Sequence, residues 1–276
     1  MHWPRRAQPV LVALLVAALA GWSAGIGTAE GKKLAGPQIV RGEIGPGALY
    51  ELSMPDAWNG DLVLWVRGLP MEPITLPDIS PLRDGLLALG YGVAYSSLSE
   101  VGVAVQDGVI RTRQLRGVFA SHFGQPRRTY LISSSLGGAM ALRLAEENVN
   151  HYDGVMPTCG IVGGMPMVID YFFTVRVLFD YFYPGVVPET PVSEMDFWTV
   201  VAPAVAGAIF TDPGPAMELA GVDQVEITYL DMNELLESIL LPVFFTNWDF
   251  WVGDVRARAH GRDPFDNASG PYSKRA

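Results

Sequence analysis

Cysteine is nearly absent. Cys159 stands alone in 276 residues, which excludes an intrachain disulfide framework and any zinc site built on cysteine ligands. Basic residues are too few for a nucleic-acid partner. Nineteen Lys and Arg stand against 29 Asp and Glu, a net charge of −10 and a pI of about 4.8, whereas binding a phosphate backbone needs an excess of cations to displace counterions. There is no internal repeat and no low-complexity tract. What is present, 49% hydrophobic and 17% charged residues, suits a chain that buries a core. Its length fits one domain, or one domain carrying a large insertion.

The longest apolar run, Val10 to Ala20, follows Arg5 and Arg6 and is too short for the roughly 20 residues that span a bilayer. It reads as the core of a secretory signal covering residues 1–29, with Gly27 and Ala29 as the small residues before the cleavage point. A retained N-terminal anchor is the alternative. Cleavage after Ala29 removes two basic residues and no acid, which takes the net charge from −10 to −12. No cysteine closely follows the run, so lipid attachment is not expected. The expected product is secreted or periplasmic, with no stable membrane span once the signal is removed.

From Gly36 the apolar pattern alternates strand and helix. Strands are expected near 48–54, 61–67, 92–96, 129–133 and 154–157. Asn59-Gly60 and Gly90 act as stops, and Ser80-Pro81 as a helix start. Helices are expected at Leu82–Leu89, Val105–Phe123 and Gly137–Asn148. Strand, helix, strand in this order predicts an α/β fold with one mostly parallel sheet, its first strand antiparallel at an edge. After residue 165 the pattern turns helical and aromatic. Helices are expected over Pro166–Tyr183, Ser193–Ala206, Ala216–Leu219 and Asp231–His260, with Val225–Tyr229 ambiguous. Residues 30–165 are thus read as the core and 166–276 as a lid-like helical insertion.

The chemistry sits where the strand Thr129-Tyr130-Leu131-Ile132 meets the helix after Gly138. The junction reads Ser133-Ser134-Ser135-Leu136-Gly137-Gly138, a small residue, x, Ser, x, Gly. A nucleophile-elbow turn needs small residues two before and two after the serine, because larger ones strike the strand or the helix. Ser135 is then the candidate nucleophile, and the Leu136 amide one oxyanion donor at a helix N-terminus. A Ser-rich phosphate-binding loop or a plain strand-to-helix turn would also fit the string.

Tyr50-Glu51-Leu52, Trp58 to Leu64, the Ser133–Gly138 turn, Tyr152-Asp153-Gly154 leading into Cys159-Gly160, and Asp263 to Asn267 together resemble a family. It is the secreted bacterial α/β-hydrolases near the prolyl-oligopeptidase-like and the feruloyl-esterase/tannase-like serine hydrolases. The resemblance implies an α/β-hydrolase-type sheet and hydrolysis of an ester or related acyl bond in a small-molecule substrate, without cofactor or metal. It also implies a second oxyanion donor in the turn after the first parallel strand, here Leu69 in Arg67-Gly68-Leu69, where family members carry a His-Gly pair.

The same resemblance demands an acid and a histidine after the serine. His2 lies in the signal, His122 precedes the turn, and His151 belongs to the far end of the sheet. His260 alone has the right order, within Arg256-Ala257-Arg258-Ala259-His260-Gly261, which also reads as a basic helix C-terminus. Because Asp263–Asn267 resembles a segment inside the insertion, the last two strands, with their acid and histidine, are expected to be missing. Asp249, Asp254, Asp263 and Asp266 lack calcium-loop spacing and are read as solvated charges. The aromatic run from Tyr171 to Tyr183 is read as insertion core that could wall an acyl or aryl pocket. Asn267-Ala268-Ser269 is a sequon. Three functions stand open: a secreted serine esterase, a non-catalytic remnant that keeps the pocket, and a peptidase on the same scaffold.

Overall fold

The computed structural model describes residues 36–71, 73–222, 225, 227, 231–260 and 264–265. The chain divides into Met1–Gly36 and Pro37–Ala276, and the account below concerns the second unit. Residues 1–29, read as a signal, most of 225–229, Asp263, Asp266 and the sequon lie outside the described residues.

The fold is α/β. Six strands, β1 (Gln38–Ile44), β2 (Ala48–Met54), β3 (Asp61–Val66), β4 (Gly92–Ser96), β5 (Arg128–Ser134) and β6 (Gly154–Thr158), form one sheet in the order β1-β2-β4-β3-β5-β6. β1 and β2 pair antiparallel through the Gly45–Gly47 turn, β2 pairs antiparallel with β4, and the other three pairings are parallel. All five expected strands are present. β2 does not lie at the edge as the sequence suggested, because β1 covers it. β1 escapes a pattern search because Arg41 and Glu43 interrupt it and Ile39 remains 44% exposed.

Three helices cross between the parallel strands: α1 (Ser80–Ala88), α2 (Val105–Phe123) and α3 (Gly137–Glu147). The chain runs from β3 outward to β4, then back past β3 to β5, so right-handed crossovers put α1 on one face and α2 with α3 on the other. The side chains obey this division. Leu62, Leu64, Ala94 and Leu131 pack with Val109, Leu115, Phe119, Met140 and Leu144, while Val93 and Tyr95 pack with Ile79 and Leu87. Period-two alternation of apolar side chains along buried strands therefore feeds two cores.

Buried on the α1 side is a carboxylate. Glu51 of β2 is 1% exposed and accepts from Arg41 at 2.8 Å, Arg83 of α1 at 3.0 Å and Ser53 at 3.2 Å. Burial works to raise its pKa, but the bonds from Arg41 and Arg83 outweigh it and hold the group below its ordinary value. Tyr95, buried beside Glu51, is pushed up to about 12.

After residue 165 the described residues are helical: α4 (Met165–Phe182), α5 (Glu194–Asp196) running through a π-helical turn (Phe197–Val201) into α6 (Ala202–Thr211), α7 (Gly214–Ala220), α8 (Met232–Asn247) and α9 (Asp249–Arg258). Asp231 caps α8 by accepting from the Asn233 and Glu234 amides. The single helix expected over Asp231–His260 is two. Trp248 breaks it with ψ near 117°, because Val192 bonds backbone on both sides of it and the Asn247 amide reaches the Pro188 carbonyl. α4 lies against α8 through the stacked pair Phe172–Phe245, centroids 5.2 Å apart. Asp254, expected to be a solvated charge, instead accepts from the Val103 amide at 2.6 Å and from Arg258, which also reaches Glu100 and the Val101 carbonyl. That pair docks α9 on the loop after β4. No described helix is long and apolar enough to cross a membrane.

The Glu51 network makes stability depend on acid. Its folded-state pKa lies below the unfolded value of 4.5, so its contribution is full above that value and disappears as pH falls through the folded pKa. Urea midpoints followed by circular dichroism should fall on acidification below roughly pH 4.5. Glu51→Gln should cost about 1–3 kcal/mol at neutral pH and flatten that acid limb. An acid limb of unchanged slope in the variant would assign the acid sensitivity elsewhere.

Candidate active site

β3 and β5 are neighbours, and the helices that follow them leave on opposite faces, so a crevice opens beyond their C-terminal ends. Ser135 stands there. It is exposed, while Ser133 and Leu136 on either side are 0% and 1% exposed. Its φ is +50°, a left-handed backbone that costs a non-glycine residue about 1–3 kcal/mol. Hydrogen bonds hold it there. The Ser135 amide donates to the Thr158 carbonyl at 3.3 Å, and the Ser135 carbonyl accepts from the amides of Gly138 and Ile161, both at 2.9 Å. Thr158 Oγ1 donates to the Ser133 carbonyl at 2.6 Å, which ties β6 to the same turn.

The glycines that follow are required by contact. A Cβ at Gly137 would overlap the Val66 carbonyl oxygen and lie 2.6 Å from that of Arg67, and one at Gly138 would lie 2.7 Å from Gly160 Cα. Gly68, in the turn after β3, faces Ser135: its Cβ position is 3.2 Å from Ser135 Cβ. Ser133 fills the earlier small position with its hydroxyl buried and without a partner.

A cavity of about 570 Å³ opens beside Ser135. The core contributes Leu69, Leu136 and the Cys159–Gly164 segment. Met167, Val168, Tyr171 and Phe172 of α4, Leu241 and Phe245 of α8, and Trp251 of α9 supply the opposite wall. The aromatic run read as insertion core thus serves both ends: Phe179 and Tyr183 are buried, while Tyr171 and Phe172 face the cavity. Among the described residues, no backbone carbonyl accepts from the amide of Leu136 or Leu69. Both are therefore free to donate to an oxygen in the cavity, with the N-terminus of α3 behind Leu136. Arg67, which occupies the place of the family's His, turns away. Its guanidinium donates to the Thr75 and Ser97 carbonyls, each at 3.0 Å, and burial lowers its pKa. Those bonds fix the Gly68-Leu69 turn.

Ser135, Leu136 and Leu69 are thus brought together. His260 is not. It lies exposed just past the C-terminus of α9, with φ +50°, and is not among the cavity-lining residues. His122 is exposed at the end of α2, and His151 is exposed in the turn between α3 and β6. Among the described residues, the only ionisable side chains in the lining are Cys159 and Tyr171, and none is a carboxylate or an imidazole. Among the described residues, no cluster of three His, Cys, Asp or Glu could hold a metal ion. Cys159 is the neighbour the sequence reading did not anticipate. It is exposed, has φ +47°, and follows β6 where Thr158 pairs with Ser134. Its place just beyond a strand that parallels β5 was the available signal. A second cavity of about 510 Å³, by Asn59 and Leu87–Gly90, holds none of the candidate residues.

No protein-family model matches the chain, and no curated protein matches it in sequence. Solved structures do. A highly thermostable carboxyl esterase from Bacillus coagulans matches at 13% identity over 76% of this chain and 73% of its own, with a TM-score of 0.40. A lipase in its open form matches at 14% identity over 81% and 85%, with a TM-score of 0.41. A lidless α/β serine hydrolase from Xanthomonas campestris matches at 12% identity over 44% and 60%, with a TM-score of 0.35. The chain spans about half the length of two further matches, 49% of one from Agrobacterium vitis and 50% of a Francisella virulence factor.

The tight contact at Gly137 is testable. Gly137→Ala sets a methyl group against two backbone carbonyls that cannot swing aside, so it should cost at least the ~1–3 kcal/mol typical of overpacking. Gly85→Ala, in α1 with nothing within 4 Å of its Cβ position, should be neutral or stabilising by up to ~1 kcal/mol. Equal urea midpoints for the two variants would contradict the packing described.

Proposed function

We propose that this chain is a serine hydrolase that attacks ester bonds through Ser135, with the amides of Leu136 and Leu69 receiving the oxyanion. The observation that carries this is the exposed left-handed Ser135 on a strand-to-helix turn, beside two unpaired amides at the mouth of an apolar cavity. These features support reading the turn as a nucleophile elbow. In the reaction, Ser135 Oγ bonds to the ester carbonyl carbon, the alkoxide or phenoxide leaves, and the hydroxyl proton passes to a base. Export as a secreted or periplasmic protein, after cleavage following Ala29, belongs to the same reading. So does a small neutral ester or acyl substrate in place of a nucleic acid.

The base is the weak point. A serine hydroxyl needs one within about 2.6–3.2 Å, and among the described residues the cavity lining holds no histidine or carboxylate. His260 remains the one histidine in the right chain order, and it serves only if the end of α9 moves over Ser135. This favours a second reading, a binding protein that keeps the pocket and turns over poorly. A triad enzyme stripped of its members retains only ~10³–10⁴-fold acceleration over water.

Purified residues 30–276 should therefore hydrolyse p-nitrophenyl butyrate far more slowly than about 1 s⁻¹, the lower end of the ordinary enzyme range. Because deacylation lacks a base as well, a butyryl group should accumulate on Ser135 during long incubation. Peptide mass spectrometry detects it, and Ser135→Ala should lose it. An adduct on no residue, or the same adduct pattern in Ser135→Ala, would sink the hydrolase reading in favour of the binding one. A turnover of order 1 s⁻¹ or more, abolished by both Ser135→Ala and His260→Ala, would show that His260 completes the site and that the slow rate was wrongly expected.

A further inference from the structure

The helical layer that walls the Ser135 cavity carries a large excess of acid, its few cations lying on Arg176 of α4 and on Arg256 and Arg258 at the end of α9. Between Val177 and Val255 the sequence carries thirteen Asp and Glu and no Lys, Arg or His. Two exposed carboxylates stand next to the cavity rim by helical spacing. Asp170 lies three residues after Met167 on α4, and Glu237 lies four before Leu241 on α8. Met167 and Leu241 both line the cavity and are 66% and 53% exposed. The cations that flank this stretch are engaged: Arg176 with Asp180 and the Pro188 carbonyl, Arg256 over the Phe265 ring, and Arg258 with Asp254 and Glu100. Arg67 is spent on two loop carbonyls. Among the described residues, no cation lines the cavity.

We infer that this layer is an electrostatic filter. It admits uncharged and cationic acyl compounds to the Ser135 cavity and turns away those bearing a carboxylate, sulfonate or phosphate. Two effects act against anions. Outside, carboxylates of one sign around a low-dielectric opening repel anions and concentrate cations. Inside, the apolar wall offers no counter-charge, so desolvation adds to the exclusion of anions but penalises a deeply buried cation as well, and the preference for cations comes from the rim. The word acyl rests on the function proposed above. The filter itself is a property of the cavity and can be measured without turnover.

Cys159, the sole cysteine of the chain, is exposed in that cavity and is a built-in reporter. Its thiolate attacks the sulfenyl sulfur of a methanethiosulfonate reagent. A mixed disulfide forms, methanesulfinate leaves, and the thiol is oxidised as the reagent is reduced. The full chain is treated with the trimethylammonium-ethyl and the sulfonato-ethyl reagents, and the ratio of the two rates is divided by the ratio for 2-mercaptoethanol. At low ionic strength the normalised preference for the cation should be about tenfold or more. It should shrink towards unity in 1 M salt, where the Debye length is about 3 Å. The double variant Asp170→Lys with Glu237→Lys, neither residue being part of the catalytic machinery, should lower it several-fold. A normalised ratio near one or reversed, or one insensitive to salt or to the double variant, overturns the filter. So does a failure of both reagents, since the cavity would then not open on Cys159. Absence of butyryl transfer to Ser135 with the charge preference intact would instead defeat the hydrolase reading and leave the filter standing.

Discussion

Everything at the candidate site depends on how closely the turn after β5 approaches the end of β3. The two strands are parallel and in register, Val66 opposite Ser133. α3 begins so near that Gly137 sits against the carbonyls of Val66 and Arg67. That distance tolerates no side chain. It also sets the turn bearing Ser135 face to face with Gly68-Leu69, so two amides from separate strand ends converge beside one hydroxyl. The approach exists because the chain visits β4 first and then returns across β3, which makes β3 and β5 neighbours whose helices diverge to opposite faces. Topology makes the crevice, and two glycines let it be narrow.

The loops that frame this crevice are held by charged groups turned away from it. Arg67 spans the Thr75 and Ser97 carbonyls. Asp107, at the start of α2, accepts from the Ser99 amide and hydroxyl, the Glu100 amide and Arg111. Burial tends to raise its pKa, but those bonds prevail and lower it. Asp254 and Arg258 reach the next residues of the same loop from α9. Charge-assisted bonds to backbone are stronger and more directional than neutral ones, so the loop after β4 is fixed from both the core and the helical layer. The cavity interior is left to apolar and aromatic side chains.

How far the sequence revealed this follows from the range of the forces involved. The strands β2 to β6 were legible because each is a short apolar run bounded by Gly, Pro or Asn. The turn bearing Ser135 and Leu136 was legible because small residues at fixed offsets have a local steric cause, whereas Leu69 came only from the family resemblance. β1 was not, since an edge strand with Arg41 and Glu43 has no buried period of its own. Nor was the break at Trp248, which is imposed by Val192 and Pro188 from more than fifty residues away. Asp254 read as a solvated charge because its partner, the Val103 amide, is 151 residues distant. The aromatic run of α4 announced a core, but which of its rings would face a cavity depended on where α8 came to rest.

Backbone strain bears on whether this cavity serves a ligand. Four non-glycine residues among those described have φ in the left-handed region: Leu98, Ser135, Cys159 and His260. Two of the four, Ser135 and Cys159, border the same cavity. Their turns are bonded to one another through the Thr158 carbonyl and the Ile161 amide. Glycine would occupy either position at no conformational cost, and this chain contains thirty glycines. At both positions it instead carries a short polar side chain, a hydroxyl and a thiol, exposed to the cavity. Strain of this kind persists only when the surroundings over-determine it. Here they do so through backbone bonds from β6 and α3, leaving both side chains free of structural duties. A turn serving only to join a strand to a helix gains nothing from that arrangement. A surface that presents a hydroxyl to a ligand requires it.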